Sequence, residues 1–253
     1  MSASAESPAS GGAPRDPAAE DLDGTDGPDG RASRLEAVRS RVVEAARRVG
    51  RSPSAITLVA VSKAFGADAV REVRAAGHVD FGESRAQELA AKADELGPGI
   101  RWHFVGRLQT NKVKEVVGRA SLIHSVDRER LARGISERAR ALDRVQPVLV
   151  QVNVGDDPAK AGVAPHELRE TVARVREMTG LACQGLMTIP PLEADPRPLF
   201  ARLRELRDEV KGSFPEVQHL SMGMTGDYET AVEEGATIVR VGEAIFGPRP
   251  GAA

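Results

Sequence analysis

From residue 31 onward, apolar side chains recur along the chain at two alternating periods. Leu35, Val38, Val42, Val43 and Ala46 are spaced as one face of a helix, which ends near Gly50. Short apolar runs then alternate with longer helical patterns. The runs predict strands at 56–62, 78–81, 102–106, 122–126, 148–154, 182–189, 219–222 and 237–241. Between them the spacing predicts helices over 68–76, 85–96, 112–117, 128–142, 165–178, 197–211 and 228–234. Strands that alternate with helices pair in parallel through right-handed crossovers. Eight such units in one chain predict a single (β/α)8 barrel of the TIM type, preceded by an extra N-terminal helix. A doubly wound open sheet is the alternative, and the absence of a Gly-rich first turn counts against it.

Residues 1–30 break this pattern. Ala, Gly, Pro, Ser and Asp dominate there, with almost no large apolar side chain, so the segment is expected to be a disordered tail ahead of a barrel over 31–253. Composition narrows the function. A formal net charge of -2 gives no general attraction to nucleic acid or to an anionic membrane. Aromatic residues are only 3%, too few for base-stacking platforms. No apolar run is long enough to span a bilayer and no signal peptide is evident, so the cytoplasm is expected. Cys183 is the single cysteine, which excludes an internal disulfide and a cysteine-based zinc cluster.

In such barrels chemistry gathers where strands end. Lys63 closes the first predicted strand, so it is expected at the barrel mouth and partly desolvated. There, the neutral amine that condenses with aldehydes is favoured. A solvated strand-end lysine is the other reading. After the seventh strand, Ser221 and Thr225 supply hydroxyls, Gly223 and Gly226 supply adaptable backbone, and a helix then begins, which suits an anion. The alternative is an ordinary turn with Asp227 as helix cap. Gly242 lets backbone approach a ligand closely after the eighth strand. Arg240, buried at a strand end, needs either a polar ligand atom or a carboxylate. His103 faces a similar choice between a ligand and a satisfied core position. Asn111-Lys112 and Lys160 could bind anions, but a solvated loop lysine is the simpler reading of each. An amine on one side and an anion cradle on the other suit a ligand with an aldehyde at one end and a phosphate at the other.

Several ordered motifs resemble one family. Val61-Ser62-Lys63, Phe81-Gly82-Glu83, Trp102-His103-Phe104-Val105-Gly106, Leu108-Gln109-Thr110-Asn111-Lys112, Gly185-Leu186-Met187, Ser221-Met222-Gly223-Met224 and Arg240-Val241-Gly242 are similar to the pyridoxal phosphate homeostasis proteins. The resemblance implies a monomeric barrel related to the N-terminal domain of alanine racemase, with pyridoxal 5'-phosphate (PLP) held as a Schiff base on Lys63. It implies that Ser221, Thr225 and the backbone at Gly242 and Glu243 hold the phosphate, and that Arg240 meets the pyridine nitrogen. Ser84 stands where the family usually has Asn, and Ala64-Phe65-Gly66 replaces the commoner Thr-x-Pro, which alters the expected pocket shape.

The resemblance further implies intracellular vitamin B6 homeostasis without catalytic turnover, and apo PLP-dependent enzymes as possible recipients. A PLP-dependent racemase or lyase is the alternative. Two features speak against it. With the eighth strand expected close to Ala253 and Tyr228 the one tyrosine of the sequence, no second domain is expected to supply an opposing base. An arginine at the ring nitrogen also opposes the protonation that makes PLP a strong electron sink.

Overall fold

The computed structural model describes residues 30–248 except 156, 158, 159 and 192. The expected tail therefore lies outside the described residues, apart from Gly30. Eight parallel strands close on themselves in sequence order, β1 through β8, with β8 pairing back onto β1. They are β1 Thr57–Val61, β2 Asp80–Glu83, β3 Arg101–Phe104, β4 Ala120–Val126, β5 Gln146–Gln151, β6 Leu181–Met187, β7 His219–Ser221 and β8 Ile238–Val241. All eight expected strands are present, with ends shifted by at most three residues. The open sheet is excluded.

Nine helices accompany them among the described residues: α1 Arg31–Arg48, α2 Ala67–Ala75, α3 Ala86–Leu96, α4 Val113–Val116, α5 Glu129–Ala141, α6 Leu168–Glu177, α7 Pro196–Lys211, α8 Tyr228–Glu233 and α9 Glu243–Phe246. The last was not expected. Four residues with one charge carry too little periodicity to stand out. The extra helix α1 buries Leu35, Val38, Val42, Ala45 and Ala46 against α8, α9 and α2.

Strand alternation divides the core in two. In β1, Leu58 and Ala60 face outward into the large apolar layer beneath the helices. Val59 and Val61 face inward and join Val105, Leu122, Leu149, Met187 and Ile238 inside the barrel. The inward parity of the other strands brings polar residues into the same space: Asp80, His103, His124, Ser221 and Arg240 are all buried. Cys183 on β6 is also buried, and desolvation pushes its thiol up to about 12.

Candidate functional site

The inward row of β1 runs Val59, Val61 and then Lys63, just past the strand end. Lys63 is half-buried there. It opens onto a cavity of about 340 Å³ at the C-terminal mouth of the barrel. That volume lies within the roughly 300–1,000 Å³ of small-molecule sites. Polar groups reach the cavity from four directions: Lys63 after β1, Ser84 after β2, Thr225 after β7, and Arg240, Gly242 and Glu243 on and after β8. Val61, Phe65, Val105, Ile189 and Met224 supply apolar walls. Phe65 is itself stacked on Phe246 of α9, with ring centroids 5.4 Å apart.

The loop after β7 is shaped by one glycine. Gly223 has φ +92, and a Cβ there would come within 2.5 Å of Ala231 Cβ, so a larger residue would push the loop off α8. Asp227 precedes α8, but its side chain does not cap that helix. Its Oδ1 accepts from the Met224 N–H at 2.6 Å, closing the loop on itself. Thr225 and Gly226 are left exposed at the tip, with nothing within 4 Å of where a Gly226 side chain would start. Thr225 Oγ1 accepts a long 3.5 Å bond from the Ala244 N–H, bringing the β7 loop beside α9.

Arg240 is the cavity's buried cation. It is 4% exposed, donates to Ser221 Oγ at 2.7 Å and to the Thr188 carbonyl at 3.0 Å, and makes no ion pair among the described residues. Burial lowers it to about 10, so it stays charged at neutral pH. Of the eight expected site residues, Lys63, Ser84, Thr225, Arg240, Gly242 and Glu243 line the cavity. Ser221 and His103 do not. Both lie beneath it inside the barrel, where the Ser221 hydroxyl is engaged by Arg240 and by His124 Nδ1 at 2.8 Å. Lys112 pairs with Glu115, and Lys160 donates to the Pro190 carbonyl; neither lines the cavity. Tyr228 sits behind the loop in a neighbouring cleft, its ring under Arg41 with the guanidinium carbon 5.8 Å from the centroid.

Three supporting residues escaped the sequence reading. Lys92 of α3 is buried, donates to the Ser62 carbonyl at 2.9 Å and pairs with Glu83, which also accepts from the Ser62 hydroxyl at 2.7 Å. Burial pushes the Glu83 carboxyl up, although Lys92 and Ser62 pull it the other way. One turn earlier on α3, Glu88 accepts from the Ala64 N–H at 3.2 Å. Helix α3 thus grips the backbone on both sides of Lys63. At the second grip Ala64 takes φ +69, a left-handed conformation that costs a residue with a side chain about 1–2 kcal/mol. The third is His124 on β4. Its inward parity with Leu122 was the available signal, but one histidine in an apolar strand carries little weight by itself.

The donor set fits an aromatic aldehyde carrying a phosphate. It offers an amine, hydroxyls on two sides, a buried guanidinium without a carboxylate, and apolar walls for a flat ring. Among the described residues no cluster of His, Cys, Asp or Glu suits a metal ion.

Comparison with known proteins agrees with this chemistry. Residues 33–250 match the model of the alanine racemase N-terminal domain. The pyridoxal phosphate homeostasis protein of Aquifex aeolicus is 45% identical over 221 residues, 85% of this chain and 97% of that protein. Its counterpart in Escherichia coli K12 is 40% identical over 86% of this chain and 96% of its own. PipY of Synechococcus elongatus, solved with PLP bound, superposes with a TM-score of 0.76 at 36% identity, covering 86% of this chain and all 100% of PipY. Alanine racemase of Clostridium difficile superposes at 0.65 with 15% identity over 58% of its length, a likeness of fold alone.

Proposed function

Because the chain belongs to the pyridoxal phosphate homeostasis protein family, we propose that it binds PLP at the barrel mouth and serves the cell's vitamin B6 balance as a carrier, without turnover of its own. The observation that carries this reading is Arg240. A buried guanidinium whose two hydrogen-bond partners are both neutral is costly even with the Asp227 charge in range, and a ligand acceptor in the cavity relieves that cost.

PLP supplies an aldehyde that an amine can bond, a phosphate, and a ring nitrogen. In our reading Lys63, gripped by α3, presents its amine to the aldehyde. The Thr225 hydroxyl and the backbone around Gly226, Gly242 and Glu243 take the phosphate. Arg240 donates to the ring nitrogen, and Ser84 lies on the remaining polar side. The assignment of Ser221 shifts from the phosphate to Arg240, because its hydroxyl lies below the cavity and is already shared. A racemase reading gains no support. Arg240 opposes protonation of the ring nitrogen by like charge. Tyr228, the sequence's one tyrosine, faces a different cleft.

The test begins with the purified protein and added PLP. A visible absorption band should appear, and borohydride should fix the cofactor on the peptide containing Lys63. A colourless protein, or fixation on another lysine of the wild-type chain, overturns the assignment. Mixing the loaded protein with an apo PLP enzyme and a trap for free PLP then tests carriage. Recovery of enzyme activity supports it. Steady conversion of alanine or serine at about 1 per second or faster, an ordinary enzymatic rate, would overturn it.

A further inference from the structure

The barrel interior carries a line of polar side chains that the cavity does not account for. Arg240 on β8 donates to Ser221 Oγ on β7 at 2.7 Å. Ser221 Oγ lies 2.8 Å from His124 Nδ1 on β4, and His124 Nε2 lies 3.0 Å from His103 Nδ1 on β3. His103 Nε2 lies 3.2 Å from Asp80 Oδ1 at the start of β2. Arg101, opening β3, holds both Asp80 oxygens at 2.7 and 2.5 Å. The line thus runs from the cavity at the mouth to the barrel floor, where the Arg101 side chain is 62% exposed.

Donor and acceptor chemistry fixes its direction from both ends. A guanidinium can only donate, so Ser221 Oγ accepts from Arg240 and has its own hydrogen left for His124 Nδ1. An ionised carboxylate can only accept. Burial by itself would raise the Asp80 carboxyl, but the hydrogen bonds from Arg101 and His103 outweigh it and hold Asp80 well below the usual carboxylate range. His103 Nε2 therefore donates to Asp80, and its Nδ1 accepts from His124 Nε2–H. The two assignments meet without conflict. In this assignment each imidazole accepts at Nδ1 and donates at Nε2, and four hydrogen bonds point the same way. Burial, the largest cause, together with the Arg240 charge keeps His124 well below its ordinary value, consistent with a neutral ring.

We propose that Ser221, His124, His103 and Asp80 form a one-way hydrogen-bond relay through the barrel that positions Arg240 for its ligand and couples the mouth cavity to the Asp80–Arg101 pair on the floor. The residues below Arg240 are positioning residues. Aligned hydrogen bonds polarise one another, so the Asp80 charge strengthens each acceptor in turn up to the Ser221 oxygen that anchors the guanidinium. The relay rests on the reading of the cavity as a PLP site only for the identity of the ligand that Arg240 meets.

Two measurements test it. The first uses the ligand-free protein. Nitrogen-15 NMR of the histidine rings at neutral pH should show His103 and His124 neutral with hydrogen on Nε2. Hydrogen on Nδ1, or a charged ring, at either position overturns the relay whether or not PLP binds, and no variant is needed. The second compares PLP-loaded wild type with Asp80→Asn, which keeps shape and removes charge on the floor. Affinity for PLP should fall roughly tenfold, the lower range for lost outer partners of a ligand group. The nitrogen-15 signal of a ring-labelled cofactor should move with it. Asp94→Asn, which breaks the exposed pair with Arg119, should change neither. An Asp80→Asn protein that matches wild type in affinity and ring signal sinks the coupling. A wild-type protein that takes up no PLP fails earlier and separately, by sinking the reading of the cavity.

Discussion

At the scale of single residues, Arg240 sets the terms. A buried cation held by two neutral acceptors contributes little to folding, and replacing such charges with apolar residues of similar size is often neutral or stabilising. Arg240→Met is therefore expected to leave the melting temperature of the ligand-free protein unchanged or higher, while PLP affinity falls at least about tenfold, or about 1.4 kcal/mol. A large fall in both would make Arg240 a structural residue. Thr225→Ala should weaken PLP by about 1.5–3 kcal/mol, the range for a hydrogen bond to a charged group, and Thr225→Ser should restore most of it. Equal affinities across the three proteins would move the phosphate elsewhere. That Lys63, Thr225 and Arg240 would gather at the barrel mouth was legible in the sequence, because each sits at a strand end or in the loop that follows it. Ser221 was read as a phosphate hydroxyl, and its place beneath the cavity beside His124 was not legible. His124 lies 97 positions away, and only barrel closure brings β4 and β7 into reach.

At the scale of elements, α3 and the turn after β1 act as one unit. Lys92 looks like a surface lysine in the sequence of α3, yet it is buried against Glu83 and the Ser62 carbonyl. Spacing along a helix says which residues share a face, but not that a lysine's neighbour across the interface is a carboxylate. Removing Lys92 strands the Glu83 carboxylate, and breaking a buried pair from one side typically costs about 3–5 kcal/mol. Lys92→Met should show that loss in urea unfolding. The double variant Lys92→Met with Glu83→Gln should lose clearly less than the sum of the singles, because no charge is left stranded. Additive losses would show that the pair is not coupled. The eight strands were readable because apolar runs and helical spacing alternate so regularly, whereas α9 was hidden by its length.

At the scale of the whole molecule, the buried histidines make stability depend on pH. His78, His124 and His219 are all lowered, chiefly by burial. The unfolded chain takes up protons near the ordinary value of 6.5, and the folded chain resists. Stability present above that pH is therefore lost as pH falls below it, by up to about 1.4 kcal/mol per pH unit for each histidine. Glu83 acts in the opposite sense. Its raised carboxyl keeps a proton in the folded state that the unfolded chain releases, so its contribution grows as acid approaches 4.5. The expected curve declines from pH 7 to 5.5 in urea unfolding, and His124→Gln should flatten it; a curve level across that range contradicts the neutral interior. The buried thiol has a practical consequence. Cys183 is the sole cysteine of the sequence, and a thiol held near 12 presents almost no thiolate at neutral pH. Maleimide dyes should pass it by, so a cysteine engineered on the surface can be tagged at one position without first deleting the native one.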